Sequence, residues 1–155
     1  MSRRFYLPQS LENSGLRLTG AEAHHLQRVM RLNAGDEVTL FDGRGTEARA
    51  RIDALTSDAV ELTVVERFLT EDSARRSVTL ATAVPKGERF DWLVEKATEL
   101  GVDRLVPLVT ARSVVHPGAG KLQRLRRTII EASKQCGRSR LMELADPVRW
   151  EDVLA

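Results

Sequence analysis

The sequence predicts a two-domain α+β fold, in which a small β-barrel is followed by an α/β layer with a parallel sheet. Residues 37–65 form short runs in which apolar and polar side chains alternate, as in antiparallel strands with one packed face. Residues 78–144 instead follow the order strand, helix, strand, helix, strand, which is typical of a parallel sheet. A polar run separates the two patterns, so we expect domains at residues 1–70 and 78–155 and a linker at residues 71–77.

Composition narrows the class of protein. The 155 residues are 42% hydrophobic and 30% charged, which is ordinary for a soluble globular protein that buries a core. A single cysteine excludes an internal disulfide and the usual structural zinc site, and we expect no metal site. No apolar run is long enough for a membrane span or a signal peptide, so we expect a cytoplasmic protein.

The first domain begins with two adjacent cations, Arg3 and Arg4, followed by two aromatic residues. This pattern fits a clamp for a backbone phosphate with a stacked base, and it also fits an edge strand with a charged tip. Downstream, Thr19 and Glu22 have the spacing of a capping box, which predicts a helix to about residue 32. We expect an apolar side formed by Leu26, Val29 and Met30, and an outer cationic strip formed by His24, Arg28 and Arg31.

Three strands are predicted after this helix, at residues 37–41, 46–52 and 59–65. The run Asp42-Gly-Arg-Gly45 predicts a hairpin between the first two strands, because glycine supplies the positive φ that such turns need. In the second strand Ala48, Ala50 and Ile52 alternate with charged residues, so we expect these three side chains in the core.

The second domain is predicted to begin with a strand at residues 78–84 that is buried on both faces. A helix that ends at Gly101 follows, then a strand at residues 105–109, a basic helix that ends at Gly137, a short strand at residues 142–144 and the first turns of a last helix. The predicted apolar stripes of the two longer helices are Phe90, Leu93, Val94, Ala97 and Leu100, and Leu122, Leu125, Ile129, Ala132 and Cys136.

Two cations follow the predicted parallel strands at their carboxyl ends. Lys86 comes directly after the first strand, and Arg112 comes after the second. Ligands of open parallel sheets gather outside this edge, so the two side chains are placed to converge on one anion. Two unrelated surface positions are the alternative interpretation.

The basic helix concentrates the charge of the chain. Residues 112–140 contain eight lysines and arginines and one acid, a charge of +7, whereas the whole chain carries +2. A cationic face of this density fits a phosphate-bearing partner, and a solvated helix is the alternative. On one side of the helix Arg127, Glu131 and Gln135 recur at steps of four, with Arg138 just beyond the helix end. This row is either a site or a solvated face.

Several blocks of sequence are distinctive. The longest are Glu95-Lys-Ala-Thr-Glu-Leu-Gly-Val102 and Glu131-Ala-Ser-Lys-Gln-Cys-Gly-Arg-Ser139, and shorter ones are His24-His-Leu, Val29-Met-Arg-Leu32 and Phe41-Asp-Gly-Arg-Gly45. Together these blocks closely resemble the RsmE family, bacterial methyltransferases of the SPOUT superfamily that modify a uridine of 16S ribosomal RNA at the N(3) position. The resemblance runs from Arg3 to the end of the chain.

The resemblance implies a PUA-like RNA-binding barrel and then a SPOUT methyltransferase domain, working as a homodimer on 16S rRNA or the small ribosomal subunit. It also implies S-adenosylmethionine as the methyl donor, bound in a glycine-rich knot formed by the C-terminal part of the domain. After Gly137 the sequence contains no glycine. We therefore expect the knot and every cofactor-binding residue to be absent from this chain, which would be an inactive piece of a longer enzyme.

The resemblance also suggests roles for individual residues. Arg138 and Gln135 would hold the uracil edge, and Glu131 would orient Arg138 or Arg127, unless it forms a plain helical ion pair with Arg127. The cations expected to bind RNA are Arg3, Arg4, Arg28, Arg31, Lys86, Arg112, Arg124 and Arg127. One alternative is a stand-alone RNA-binding module without catalytic activity. Another, a small-molecule α/β enzyme, is disfavoured because no phosphate-cradling glycine loop accompanies Lys86 and Arg112.

Overall fold

The computed structural model describes residues 3–69 and 76–153, and the chain divides into two compact units at residues 72 and 73. Residues 71–75 of the predicted linker lie outside the described residues. Each unit has its own sheet and its own hydrophobic cluster. The predicted α+β architecture is therefore confirmed.

The first unit is a curled five-stranded sheet. Its strands are β1 Arg4–Tyr6, β2 Gly15–Thr19, β3 Glu37–Phe41, β4 Thr46–Leu55 and β5 Ala59–Leu69, in the order β1-β3-β4-β5-β2. β1 runs parallel to β3, and the other pairs are antiparallel. Two shifts of register between β4 and β5 bend the sheet, because a bulge increases the local twist. β1 and β2 are its edges, and closure into a barrel stays a prediction.

The predicted strands of this unit are confirmed, and β4 and β5 extend beyond their predicted ends. Ala48, Ala50 and Ile52 are buried, as their alternation predicted. The hairpin is also confirmed, since Gly43 and Gly45 have positive φ and the Asp42 carboxylate accepts hydrogen bonds from the backbone of the turn. The sequence analysis missed β2, whose alternation is only five residues long.

The helical segment of the first unit differs from its prediction. It consists of α1 Gly20–His24 and a π-helical turn, His25–Val29. The capping box is wrong, because the Thr19 side chain makes no capping hydrogen bond and the Glu22 carboxylate instead accepts one from the backbone N–H of Tyr6. A π turn holds more residues than an α turn, which changes the periodicity. Val29, expected in the core, is consequently 52% exposed.

Over its described residues, the second unit is a parallel sheet with three helices. Its elements are β6 Thr79–Ala83, α2 Arg89–Glu99, β7 Arg104–Val109, α3 Ala119–Cys136, β8 Glu143–Leu144, β9 Val148–Arg149 and α4 Trp150–Val153. β7 is central, with β6 on one side and β8 and β9 on the other. Pro107 lies between the part of β7 that pairs with β8 and the part that pairs with β9, where a residue without an N–H is tolerated.

Three burial predictions in this unit are wrong. β6 alternates between exposed and partly buried residues instead of being buried on both faces, because only the side that carries Leu80 packs against the core. Leu100 is 85% exposed, since α2 ends before it. Cys136 is exposed because the buried side of α3 turns toward Ser133 and Lys134 in the last turns of the helix.

Candidate functional site

Lys86 and Arg112 lie at the carboxyl edge of the parallel sheet, as predicted. β6 and β7 are neighbouring parallel strands with Ala83 opposite Leu108, and each cation follows the end of its strand by three residues. Both residues are exposed. Neither side chain makes an ion pair or hydrogen bond with any other residue among those described, so both cations are available to an anion.

The predicted catalytic residues lie toward the other edge. α3 starts from the carboxyl end of β7, and the chain then re-enters the sheet at Glu143, which pairs with Arg104 at the amino end of β7. The last turn of α3 must therefore lie near the amino ends of the strands. Gln135 and Arg138 are at this end, away from Lys86 and Arg112. The two predicted groups are not brought together.

Arg138 points into the protein. Its Nη1 donates to the carbonyl oxygens of Val102 at 2.6 Å and Thr98 at 3.2 Å, and its Nη2 donates to Asp103 Oδ1 at 3.1 Å. Only 11% of its side chain is exposed. Gly137, with φ of 77°, reverses the chain direction just before it. The prediction that Arg138 continues an exposed polar row is wrong, because its guanidinium fastens the end of α3 to the α2–β7 turn.

Asp103, the partner of Arg138, joins the starts of three strands. Its Oδ2 accepts a hydrogen bond from the N–H of Val78 at 2.9 Å, and its own N–H donates to the carbonyl oxygen of Val78. Its carbonyl oxygen accepts from the N–H of Glu143. The sequence analysis missed this carboxylate, since nothing in the local pattern distinguishes it from a surface aspartate. We call Arg138 and Asp103 the amino-end clamp.

The continuous cationic face predicted for residues 112–140 is also wrong. Acidic residues from several elements pair with its cations, and among the described residues at least five of the eight form ion pairs. Lys121 and Arg124 both bind Asp91 of α2, the second at 2.8 Å. Partial burial raises the pKa of Asp91, but the hydrogen bonds and charges of these two cations outweigh it, and the net pKa is lowered. The number of cations in residues 112–140 therefore overestimated how many of them are available to a partner.

Three of the four polar residues predicted to form a row at the end of α3 are exposed. Arg127, Glu131 and Gln135 are all exposed. Glu131 does form an ion pair within the helix, but with Lys134 and not with Arg127 as the alternative interpretation predicted. Its Oε1 accepts a hydrogen bond from Lys134 Nζ at 3.0 Å. Within the described chain, the Arg127 side chain has no such partner.

The cations of the first unit also divide into two groups. Arg4 donates to Glu47 at 2.9 Å and lies over the ring of Phe41, which fits the edge-strand alternative, and Arg3 lies 3.6 Å from Asp36. Arg28 and Arg31 are exposed, and over the described residues neither side chain is held by an acid.

A pocket of about 520 Å³ at the carboxyl edge is lined by Leu108, Thr110, Ala111, Arg112, Trp150 and Glu151. It has no glycine-rich loop to approach a nucleoside closely, so these residues do not fit S-adenosylmethionine by themselves.

In residues 3–69 and 76–153, no cluster of three His, Cys, Asp or Glu side chains is suited to a metal ion. No helix there is long and apolar enough to span a membrane.

Comparisons with known proteins agree with this two-unit organisation. A family model described as the RNA methyltransferase PUA domain matches residues 18–65, and one described as the RNA methyltransferase domain matches residues 72–155. The ribosomal RNA small subunit methyltransferase E of Synechocystis is 36% identical, with 92% of this chain and 46% of the relative covered. That of Bacillus subtilis is 30% identical, with coverages of 88% and 55%.

Solved structures are similar over almost the whole chain. A methyltransferase from Legionella pneumophila, in complex with the bound cofactor SAM, has a TM-score of 0.89 and 30% identity, with 99% of this chain and 66% of that chain covered. The ribosomal RNA small subunit methyltransferase E of Neisseria gonorrhoeae, bound to S-adenosyl methionine, has a TM-score of 0.87 and 26% identity, with coverages of 99% and 65%. The chain spans about half the length of the two curated relatives. Because the methyltransferase model matches more than half of its residues, the chain belongs to the RNA methyltransferase family that includes the ribosomal RNA small subunit methyltransferases E.

Proposed function

We propose that this chain is part of an S-adenosylmethionine-dependent enzyme that methylates a uridine of 16S rRNA at N(3). In this proposal residues 1–70 form a PUA-like barrel, and residues 78–155 form the first part of a SPOUT domain. These 155 residues bind RNA but do not complete the cofactor site. The observation that carries the proposal is a set of exposed, unpaired cations on both units of a chain from this family.

Those cations are a subset of the eight expected to bind RNA. Arg3, Arg4 and Arg124 pair with carboxylates, so RNA would have to compete with an existing ion pair. Within the described residues, the side chains of the other five are exposed and have neither an ion pair nor a hydrogen bond: Arg28, Arg31, Lys86, Arg112 and Arg127. A free cation binds phosphate with release of counterions, which makes the affinity salt-dependent. We propose these five as the RNA-binding residues.

The proposed reaction requires groups near the uracil base that stabilise a negative charge. The N(3) proton of uracil is flanked by two carbonyl groups, and its loss leaves an anion that nearby cations or hydrogen-bond donors stabilise. Lys86 and Arg112 lie on the edge of the sheet where ligands gather. Arg138 acts as a positioning residue that holds the end of α3, because its guanidinium already binds Asp103 and two carbonyl oxygens. Gln135 and Glu131 stay candidates for contact with the base.

The proposed partners are 16S rRNA or the assembled small subunit, with the longer enzyme acting as a homodimer. Light scattering of the longer enzyme would test the dimer, and a monomer at micromolar concentration would contradict it. Methylation of small subunits that lack the modification, followed by mass spectrometry of the nucleosides, would test the substrate and the position. A methyl group on any atom other than N(3) of uridine would contradict this proposal.

Two titrations test the part assigned to this chain. We expect a fluorescent hairpin of 16S rRNA to bind the 155-residue protein with an affinity that falls steeply between 50 and 200 mM salt, conditions under which phosphate contacts weaken. Radiolabelled S-adenosylmethionine should bind the longer enzyme but not this chain. Absence of RNA binding at low salt would contradict the RNA-binding assignment, and tight S-adenosylmethionine binding would contradict the incomplete cofactor site.

A further inference from the structure

The first unit contains a pocket that the proposed function has not yet used. It has a volume of about 320 Å³ and lies between the helical segment and the turn that joins β4 to β5. Its polar lining residues are Thr19 at the end of β2, His24, Gln27 and Arg28 on the helical side, and Ser57 and Asp58 on the turn. This volume is near the lower end of the range for ligand pockets, about 300 to 1,000 Å³, which suits a single nucleotide.

Hydrogen bonds hold the two walls of this pocket in place. Gln27 lies in the π turn, and its Nε2 donates to the carbonyl oxygen of Ala59 at 3.3 Å, which ties the helical wall to the start of β5. Across the turn, Thr56 N–H donates to the Ala59 carbonyl oxygen, and Ala59 N–H donates to Thr56 Oγ1. Both walls are therefore tied to the start of β5 by hydrogen bonds, which lowers the cost of ordering the pocket when a ligand binds.

The pocket presents a cation and an anion that do not neutralise each other. Arg28 and Asp58 both line it and are both exposed, and among the described residues neither side chain forms an ion pair. Asp58 Oδ1 accepts a hydrogen bond from the Ser57 hydroxyl at 3.4 Å, which helps to orient the carboxylate. The Thr56 hydroxyl lies within hydrogen-bond distance of both Asp58 Oδ1 and the Ala59 carbonyl oxygen, and its one proton serves one of them. A ligand matched to this lining must offer hydrogen-bond donors to Asp58 and an anionic or acceptor group to Arg28.

Guanine nucleotides match both requirements. The Watson–Crick edge of guanine carries two adjacent donors, N1–H and the N2 amino group, which can bind both oxygens of one carboxylate. Uracil has one donor between two acceptors, and adenine and cytosine each have a single donor group on this edge, the amino group, next to an acceptor nitrogen. The phosphate of the same nucleotide supplies the partner for Arg28. Single-stranded RNA is read in this way, by bonds to the exposed edges of unstacked bases.

We propose that this pocket binds one unstacked guanine nucleotide, with Asp58 reading the base and Arg28 holding its phosphate. The proposal rests on the proposed function for its source of ligand, an RNA chain. It adds a base-specific contact to the sequence-independent phosphate contacts assigned above, so the first unit would set the register of the RNA.

The test uses labelled heptaribonucleotides in which the central base of a uridine run is G, A, C or U. For the 155-residue protein we expect the G oligonucleotide to bind about tenfold more tightly than the others, as for one good bidentate contact. Asp58→Asn should reduce that preference to about twofold or less. Arg28→Gln should weaken all four oligonucleotides by a similar factor. Asp53→Asn, an exposed carboxylate on β4 outside the pocket, is the matched control and should leave the preference unchanged.

A titration with free GMP, AMP, CMP and UMP separates this inference from the proposed function. GMP should shift the backbone amide signals of Ala23, Gln27 and Asp58 in NMR spectra more than the other nucleotides do, with weak, millimolar affinity. Micromolar GMP binding without preference among the oligonucleotides would identify a free nucleotide as the ligand and overturn the assignment to RNA. Oligonucleotides that bind equally, with no selective GMP shifts, would overturn the pocket while RNA binding stands. If no oligonucleotide binds, the proposed function fails, and the GMP shifts still decide the chemistry of the pocket.

Discussion

At the amino end of the parallel sheet Arg138 donates to two carbonyl oxygens and to Asp103, whereas at the carboxyl end Arg112 is exposed to solvent. Both residues are arginines in the same basic segment, and sequence alone gave them related roles. The difference comes from what the fold brings near each one. A helix end and a strand start converge on Arg138, whereas Arg112 sits in a loop beyond the last hydrogen bonds of β7. The first arginine stabilises the fold, and the second is free to bind a ligand.

The largest expected effect tests the amino-end clamp. Arg138→Met should lower the free energy of unfolding by about 3 kcal/mol, because it removes the guanidinium that pairs with Asp103 and that donates to the Val102 carbonyl oxygen. The Thr98 carbonyl oxygen would keep the backbone N–H of Gly101 as its donor. Urea denaturation followed by circular dichroism measures this change.

Arg127→Met is the matched control for that variant, since it removes an exposed arginine from α3, the helix that Arg138 follows. It should change stability by less than about 0.5 kcal/mol. If the two variants unfold at the same urea concentration, Arg138 is no clamp, and the contrast between the two ends of the sheet disappears.

The next effect tests the carboxyl end. Replacing Lys86 and Arg112 together by glutamine should weaken RNA binding about tenfold at low salt and reduce the slope of log affinity against log salt by about 1.4, for two single-strand phosphate contacts. Stability should not change, since neither side chain is paired in the part of the chain that the structure describes. Fluorescence anisotropy at several salt concentrations gives both quantities.

A double variant of equal charge provides the control. Arg17 and Arg104 are exposed but pair with Glu61 and Glu143, and their replacement by glutamine removes the same two charges. An equal loss of RNA affinity in this variant would mean that only net charge matters, and that the carboxyl edge has no special role.

The contrast between the two ends of the sheet also explains which features could be predicted from the sequence. Periodicity and turn residues depend only on neighbouring positions in the sequence. Strand patterns predicted β3 and β7, and glycines predicted the hairpin at Asp42 and the end of α3. Position along parallel strands depends only on topology, so it placed Lys86 and Arg112 at one edge. The state of Arg138 depends on Asp103 and Thr98, 35 and 40 residues away, and no local pattern reports such a contact.

The same reasoning applies to the charge of α3. Eight cations in one segment predicted a free basic face, but Asp91 and Asp146 neutralise three of them from other elements. In the first unit the π turn was equally hidden, because its sequence keeps the spacing of an α-helix. Sequence reasoning therefore succeeded where a property is set locally or by strand order, and it failed where distant partners decide whether a side chain is free.

A smaller effect concerns Asp91, which holds two of the cations. Because its pKa is lowered on folding, its contribution to stability is present above the ordinary value of 3.8 and is lost as the pH falls through the lower folded value. Asp91→Asn should therefore destabilise the protein at pH 7 by less than about 1 kcal/mol, as for partly exposed pairs, with a smaller difference below pH 3. Urea midpoints between pH 2.5 and 7 measure this dependence. Asp146→Asn, at an aspartate whose side chain is 84% exposed, is the control and should change stability at pH 7 by less than about 0.5 kcal/mol.

The smallest expected effect tests whether the packed region around the amino-end clamp extends back to Cys136. Cys136 is only two residues from Arg138 but is exposed in the last turn of α3, where the buried side of the helix has turned toward Ser133. Cys136→Ser should change the free energy of unfolding by less than about 0.5 kcal/mol, because the side chain is exposed and its Sγ makes only a long contact, 3.9 Å, with the carbonyl oxygen of Ser133. In the native protein the thiol should react with a chromogenic disulfide reagent as fast as in urea. A protected thiol or a loss of more than 1 kcal/mol would extend the packed region to the end of α3, and Arg138 would then be one part of a broader core contact instead of the residue that fastens the helix.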